Sequence, residues 1–141
     1  MLKNITAEEA VLTAALGNWS PECVTAVQQL DPMDMWDTVH QDILRVAQSV
    51  WAETGFVDET SVRGRLTSSE SYDLVFDLLT TSFAPPRPET LPGMVDAIKR
   101  LARVRRAVAH AQAAQAAIAD EDVAAAEESF GKIARTMVEG R

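Results

Sequence analysis

The chain has 141 residues, 47% of them hydrophobic, which is enough apolar material for one packed domain, or a small domain with an appendage. No apolar run approaches the roughly 18 residues that a bilayer span requires, and a single cysteine, Cys23, excludes an intramolecular disulfide. A net charge of -8 disfavours coating a phosphate backbone, because the body of the protein would be repelled by it.

The first residues, Met1-Leu2-Lys3-Asn4, lack the charged and apolar regions of a secretory leader. With the lone cysteine, that points to the cytoplasm. Thr6 and Glu9 have the spacing of a capping box, and a helix is expected from about Ala7 to Leu16. Its stripe is Ala10, Val11, Ala14 and Ala15, and Gly17-Asn18 ends it. Ser20-Pro21 supplies a cap and an N1 proline for a second helix to about Leu30, with Val24, Val27 and Leu30 inward. Asp31-Pro32-Met33-Asp34 reads as a turn or a single helical turn.

Asp37 can cap a third helix to about Thr54, with Val39, Ile43, Val46, Val50 and Trp51 inward. Trp36, His40, Ile43 and Trp51 are the expected core anchors of this region. Asp58 or Thr60 caps a short helix ending near Leu66, and Ser68 or Ser69 caps another from about Glu70 to Ser82. The stripe of the latter is Tyr72, Val75, Phe76 and Leu79. Ala84-Pro85-Pro86-Arg87-Pro88 cannot be helical, since three prolines in four residues force an extended link. The boundary is placed there, with a helical head over 1–86 and a helical hairpin over 87–141.

From Leu91 to Val138 the sequence reads as two long helices folded back on each other. Met94, Leu101, Val104, Val108, Ala111 and Ile118 fall at near-heptad spacing, as do Val123, Phe130, Ile133 and Met137. These ten residues form the expected self-association seam. Ala119-Asp120-Glu121-Asp122 is the reversal, with acids suited to a new helix N-terminus. Seven alanines between Ala107 and Ala117 offer small side chains that allow close helix contact.

Charge is segregated. Residues 1–86 carry 4 basic and 13 acidic side chains, 87–119 carry 6 and 2, and 120–141 carry 3 and 6. The basic cluster is Lys99, Arg100, Arg103, Arg105 and Arg106, the candidate charged interface; a solvated helix face would read the same way. Reversal near residue 119 sets Arg103 across from about Thr136, so the basic run and the acids of 120–128 do not meet within one hairpin. An antiparallel partner hairpin would bring them together.

Catalytic motifs are lacking. Gly131-Lys132 has no upstream glycine to make a phosphate loop, and no GxGxxG occurs. His40 and His110 stand 70 residues apart, outside any metal-ligand spacing. Cys23 is better read as a small buried thiol than as a nucleophile paired with His40. Asp31, Asp34 and Asp37 are better read as helix-capping acids than as metal ligands. The expectation is an all-α, non-enzymatic protein with no cofactor and no metal.

The order of these pieces resembles the N-terminal domain of DnaB-type replicative helicases. The acid-bearing apolar helix is Ala7 to Leu16; the Pro-x-Asp-Phe-Tyr element with its following histidine and aliphatic pair is similar to Pro32-Met33-Asp34-Met35-Trp36, His40 and Ile43-Leu44. Gly55 to Val62 follows, then the link and hairpin entry as Ser82 to Val95 and Ile98 to Val108, and the close as Asp122 to Phe130. Met35-Trp36 replaces the usual aromatic pair, a glycine-rich stretch before Leu78 is missing, and the chain stops where a linker to a RecA-like motor would begin.

The resemblance implies a helical head and an antiparallel hairpin that pairs with a second copy, as a dimer or a ring of dimers. It also implies a collar that docks primase or a helicase loader, with no catalysis of its own. A stand-alone phage or plasmid relative that binds a host helicase or primase is a second expectation. Weak nucleic-acid binding through residues 99–106 is a third, opposed by the acidic remainder and by the lack of interleaved aromatic residues.

Overall fold

The computed structural model describes residues 2–17, 21–80, 87 and 89–139. It is all-helical, with no strand among the described residues. The elements are α1 (Ile5–Gly17), α2 (Pro21–Gln28), a 3-10 turn (Pro32–Asp34), α3 (Thr38–Thr54), α4 (Glu59–Arg63), α5 (Ser69–Thr80), α6 (Leu91–Ala119) and α7 (Val123–Val138). They form two compact units, Lys3–Lys99 and Arg100–Arg141 with Met1–Leu2, so α6 begins in the first and continues through the second. Residues 81–86 and 88, where the sequence places the head–hairpin boundary, lie outside the described residues, as do Asn18, Trp19 and Ser20.

Capping chemistry sets most helix starts in the head. Asp37 accepts from the Val39 N–H at 2.8 Å, and Asp58 accepts from the Ser61 N–H at 2.6 Å. The Ser61 hydroxyl and amide hold the Asp58 carboxyl below the usual carboxylate range. Gly55 closes α3 at φ 68°, where a Cβ would be strained, and returns its N–H to Trp51 O at 2.8 Å. The start of α1 differs from the sequence reading. Asn4 Oδ1 takes the Ala7 N–H at 3.0 Å, so the helix begins at Ile5 and Thr6 is not the cap. An Asx cap upstream wins, and the Thr6–Glu9 box is not used.

α3 packs against α1, α4 and α5. Leu12, Leu30, Met35, Ile43, Leu44, Val62 and Val75 fill the head core, together with Leu91, Val95 and Ile98 from the first two turns of α6. Burying each large aliphatic side chain contributes about 1.5–3 kcal/mol. α1 is buried almost all round, from Val11 through Leu16, which is why its sequence shows no clean face.

In α5 the buried face is Ser71, Val75 and Leu78, one step round from the expected stripe. Tyr72 and Phe76 are therefore 42% and 49% exposed. The Arg63 guanidinium lies over both rings, 4.0 and 5.7 Å from their centroids, and is tied to Glu59 at 2.7 Å. That stack replaces core burial for the two rings.

The reversal between α6 and α7 is a Schellman turn. Glu121 N–H reaches Ile118 O at 3.0 Å and Asp122 N–H reaches Ala117 O at 2.9 Å, with Glu121 at φ 57°. Asp122 then caps α7 through the Ala125 N–H at 3.1 Å. A side chain in the left-handed region costs about 1 kcal/mol that glycine avoids. Glu121→Gly is expected to raise stability by about 0.5–1 kcal/mol, read as a higher urea midpoint; an unchanged or lower midpoint would contradict the strain.

Candidate functional site

Two features of the structure bear on function, one in each unit. The hairpin unit presents the more extended surface. Its less exposed residues recur at three- and four-residue spacing: Ala107, His110, Ala114 and Ala117 on α6, and Ala126, Ser129, Ile133 and Thr136 on α7. These rows mark the faces that the two helices turn toward each other. All but His110 and Ile133 are small, so the helices can approach closely while burying little apolar area.

The larger apolar residues lie elsewhere. Val104, Val108 and Ile118 on α6, and Val123, Phe130 and Met137 on α7, are exposed. At about 100° per residue they sit roughly a quarter turn from the inner rows, in the same rotational sense along each chain. Because the helices run antiparallel, that common sense puts both stripes on one side of the hairpin. Near the reversal the stripes meet: Ile118, Val123, Ala126 and Phe130 line a depression of about 400 Å³ rimmed by Glu121, Asp122 and Glu127. There Ile118 is 56% exposed, Val123 68% and Phe130 53%.

The ten expected seam residues thus divide. Val104, Val108, Ala111, Ile118, Val123, Phe130 and Met137 are exposed. Leu101 is half-buried; Ile133 is half-buried and belongs to the inner row. Met94 packs against the head core and takes no part in the hairpin surface. Of the basic cluster, Lys99 ends the head unit, Arg100 and Arg106 are exposed, and Arg103 and Arg105 are half-buried. Arg105 Nη1 donates to Leu2 O at 2.6 Å.

In the head unit the notable site is buried and polar. Glu8, 32 residues from His40, accepts its Nδ1 hydrogen at 2.8 Å through Oε1. Glu8 Oε2 accepts the Trp36 N–H at 2.8 Å, and Oε1 also takes the Asp37 N–H at 3.3 Å. Both side chains are almost fully buried. Gln41 Nε2 adds a bond to Met35 O at 2.8 Å, so the segment 35–37 is fixed on both sides. One acid of α1 therefore shapes the entry into α3, a structural role.

The expected anchors fare differently. His40 and Ile43 are buried, and Trp51 packs half-buried against the core. Trp36 is 44% exposed, with Lys3 Nζ 3.9 Å over its ring, and Met35 beside it takes the core position. The backbone bonds to Glu8 hold the Trp36 amide inward while its ring faces out. Sequence reasoning passed over Glu8 as a first-turn acid; its only local signal is a carboxylate on the apolar side of α1.

Among the described residues, no cluster of three or more His, Cys, Asp and Glu could hold a metal ion, and no helix is long and apolar enough to cross a membrane. A family model, the DnaB-like helicase N terminal domain, matches residues 1–100. A comparison with curated protein sequences found no match. The match spans the head and the first turns of α6; the remainder of the hairpin is known from the structure.

Proposed function

The chain belongs to the DnaB-like helicase N-terminal domain family, and from that membership we propose that it is a non-catalytic self-association and docking module of a replicative-helicase collar. The hairpin's exposed stripe is the pairing surface. The observation that carries this reading is which rows of the hairpin are shielded: the less exposed rows are mostly small residues (Ala107, Ala114, Ala117, Ala126, Ser129 and Thr136), while Val104, Val108, Ile118, Val123, Phe130 and Met137 face solvent. An apolar stripe along both helices on one side of a hairpin costs solubility in a free monomer and is relieved by a second copy.

Charge favours antiparallel pairing of hairpins. The basic run at Arg100 to Arg106 lies at one end of the hairpin unit, and the acidic run at Asp120 to Glu128 at the other. Placed antiparallel across a two-fold axis, each basic end meets the partner's acidic reversal. Contacts of this kind contribute about 0.2–1 kcal/mol each and are screened by salt.

Reversing Arg103 and Arg106 together to glutamate is expected to weaken self-association at low salt, and the difference from the parent should shrink as salt is added. Sedimentation equilibrium reads it; equal association constants at low salt would remove the charge argument. The collar so formed would also dock primase or a helicase loader.

A further inference from the structure

We propose that the outer face of α5 in the head is a docking site for an amphipathic helix of a protein partner, one carrying lysine or arginine alongside apolar side chains. This face lies in the head unit and is independent of hairpin pairing.

Tyr72 and Phe76 stand one helical turn apart with much of each ring in solvent. Exposed aromatic rings in an i, i+4 pair are uncommon on a surface without a partner, and rings are enriched where partners bind. These two are also held in place: Arg63 covers one side of them, and Glu59 fixes Arg63. Anchors already ordered in the free protein lose little entropy on binding.

Beside the ring row runs an acidic one. Glu70 and Asp73 are exposed at three-residue spacing, and Asp77 continues the row four residues on. Arg63 pairs with Glu59 and Arg65 with Glu53, so the charges that the face offers a partner are those of Glu70 and Asp73. A ring row and a carboxylate row parallel to one helix axis match a second helix laid alongside, with apolar side chains over the rings and cations over the acids. The head as a whole is acidic, so a basic partner is also steered toward it. The same carboxylates disfavour a nucleic acid, whose phosphates they repel.

The test uses the full chain and a fluorescent amphipathic leucine–lysine peptide, with binding read by anisotropy. The parent is expected to bind it. Tyr72→Ser with Phe76→Ser, which leaves the charge unchanged, is expected to weaken binding about tenfold, as for loss of an interface anchor. Asp73→Lys, a substitution at a solvent-exposed position, is expected to weaken it by a similar factor.

Asp42→Lys, on α3, is the control for bulk charge and is expected to have a much smaller effect. Sedimentation of the ring variant should match the parent. Four results overturn the proposal: no binding by the parent, binding that survives loss of both rings, an equal loss with Asp42→Lys, or altered self-association of the ring variant, which would assign the face to a second copy.

Discussion

Glu8→Ala is expected to destabilise the head by about 3–5 kcal/mol, the size found when one partner of a buried pair is removed. The reason is the number of groups that depend on one carboxylate. His40 Nδ1 donates to it in the buried interior, and the N–H groups of Trp36 and Asp37 donate to it in part-buried bonds. Alanine leaves those donors without acceptors, and each buried, unsatisfied donor costs about 1–3 kcal/mol. It also leaves space where the side chain was, next to Met35 and the start of α3.

Glu8→Gln is expected to fall between the two. One oxygen remains to accept, but the amide nitrogen turns a donor toward another donor. Urea unfolding followed by circular dichroism measures both. A loss below about 1 kcal/mol for Glu8→Ala would mean that the three bonds are replaced by water, and the structural role assigned to Glu8 would fall.

Phe130→Asp should have the largest effect on assembly, raising the self-dissociation constant by about 30-fold or more, as truncation of a central aromatic anchor does. Phe130 sits midway along the α7 stripe and lines the depression with Ile118 and Val123. In a paired hairpin its ring would be buried, and an aspartate there would be buried next to Glu127 and the acidic reversal. In the free chain the position is exposed, so the helix content should be unchanged. Sedimentation equilibrium with a parallel circular-dichroism spectrum separates the two effects. If Phe130→Asp associates as the parent does, the stripe is not the pairing surface, even if the chain still self-associates by another face.

Much of the local architecture was legible because it is written in short-range chemistry. Asp37 caps the helix that the sequence assigns to it, Asp58 rather than Thr60 caps α4, and Asp122, one of the three acids expected before the last helix, caps α7, since an aspartate placed before an apolar-periodic run has few other local options. The all-helical class and the reversal near residue 120 follow from the same kind of signal. The start of α1 was misplaced by two residues because Asn4 and Thr6 both offer a capping oxygen, and local rules do not rank them.

The face of α5 was misread for a related reason. Ser71 is buried although polar, and Tyr72 and Phe76 are exposed although aromatic, because Arg63 from α4 supplies a contact that pattern counting does not include. Glu8 looked like an ordinary acid near a helix start until the fold brought His40 and the 36–37 amides to it.

For the hairpin, the sequence by itself determined that two helices exist, where they reverse, and that apolar residues recur along each with a near-seven-residue beat. The order of residues also determined how the charges are distributed along its length. It did not determine which row faces the partner helix. A row of alanines and a row of larger apolar residues, a quarter turn apart, are both compatible with a helix–helix seam. The tertiary structure decided between them: Ala107, Ala114 and Ala117 on α6, with Ala126, Ser129 and Thr136 on α7, are the shielded row, and Val104, Val108, Ile118, Val123 and Phe130 remain outside. The inner and outer faces of a two-helix unit depend on which packing brings the helix axes nearest, and that property belongs to the pair of helices together.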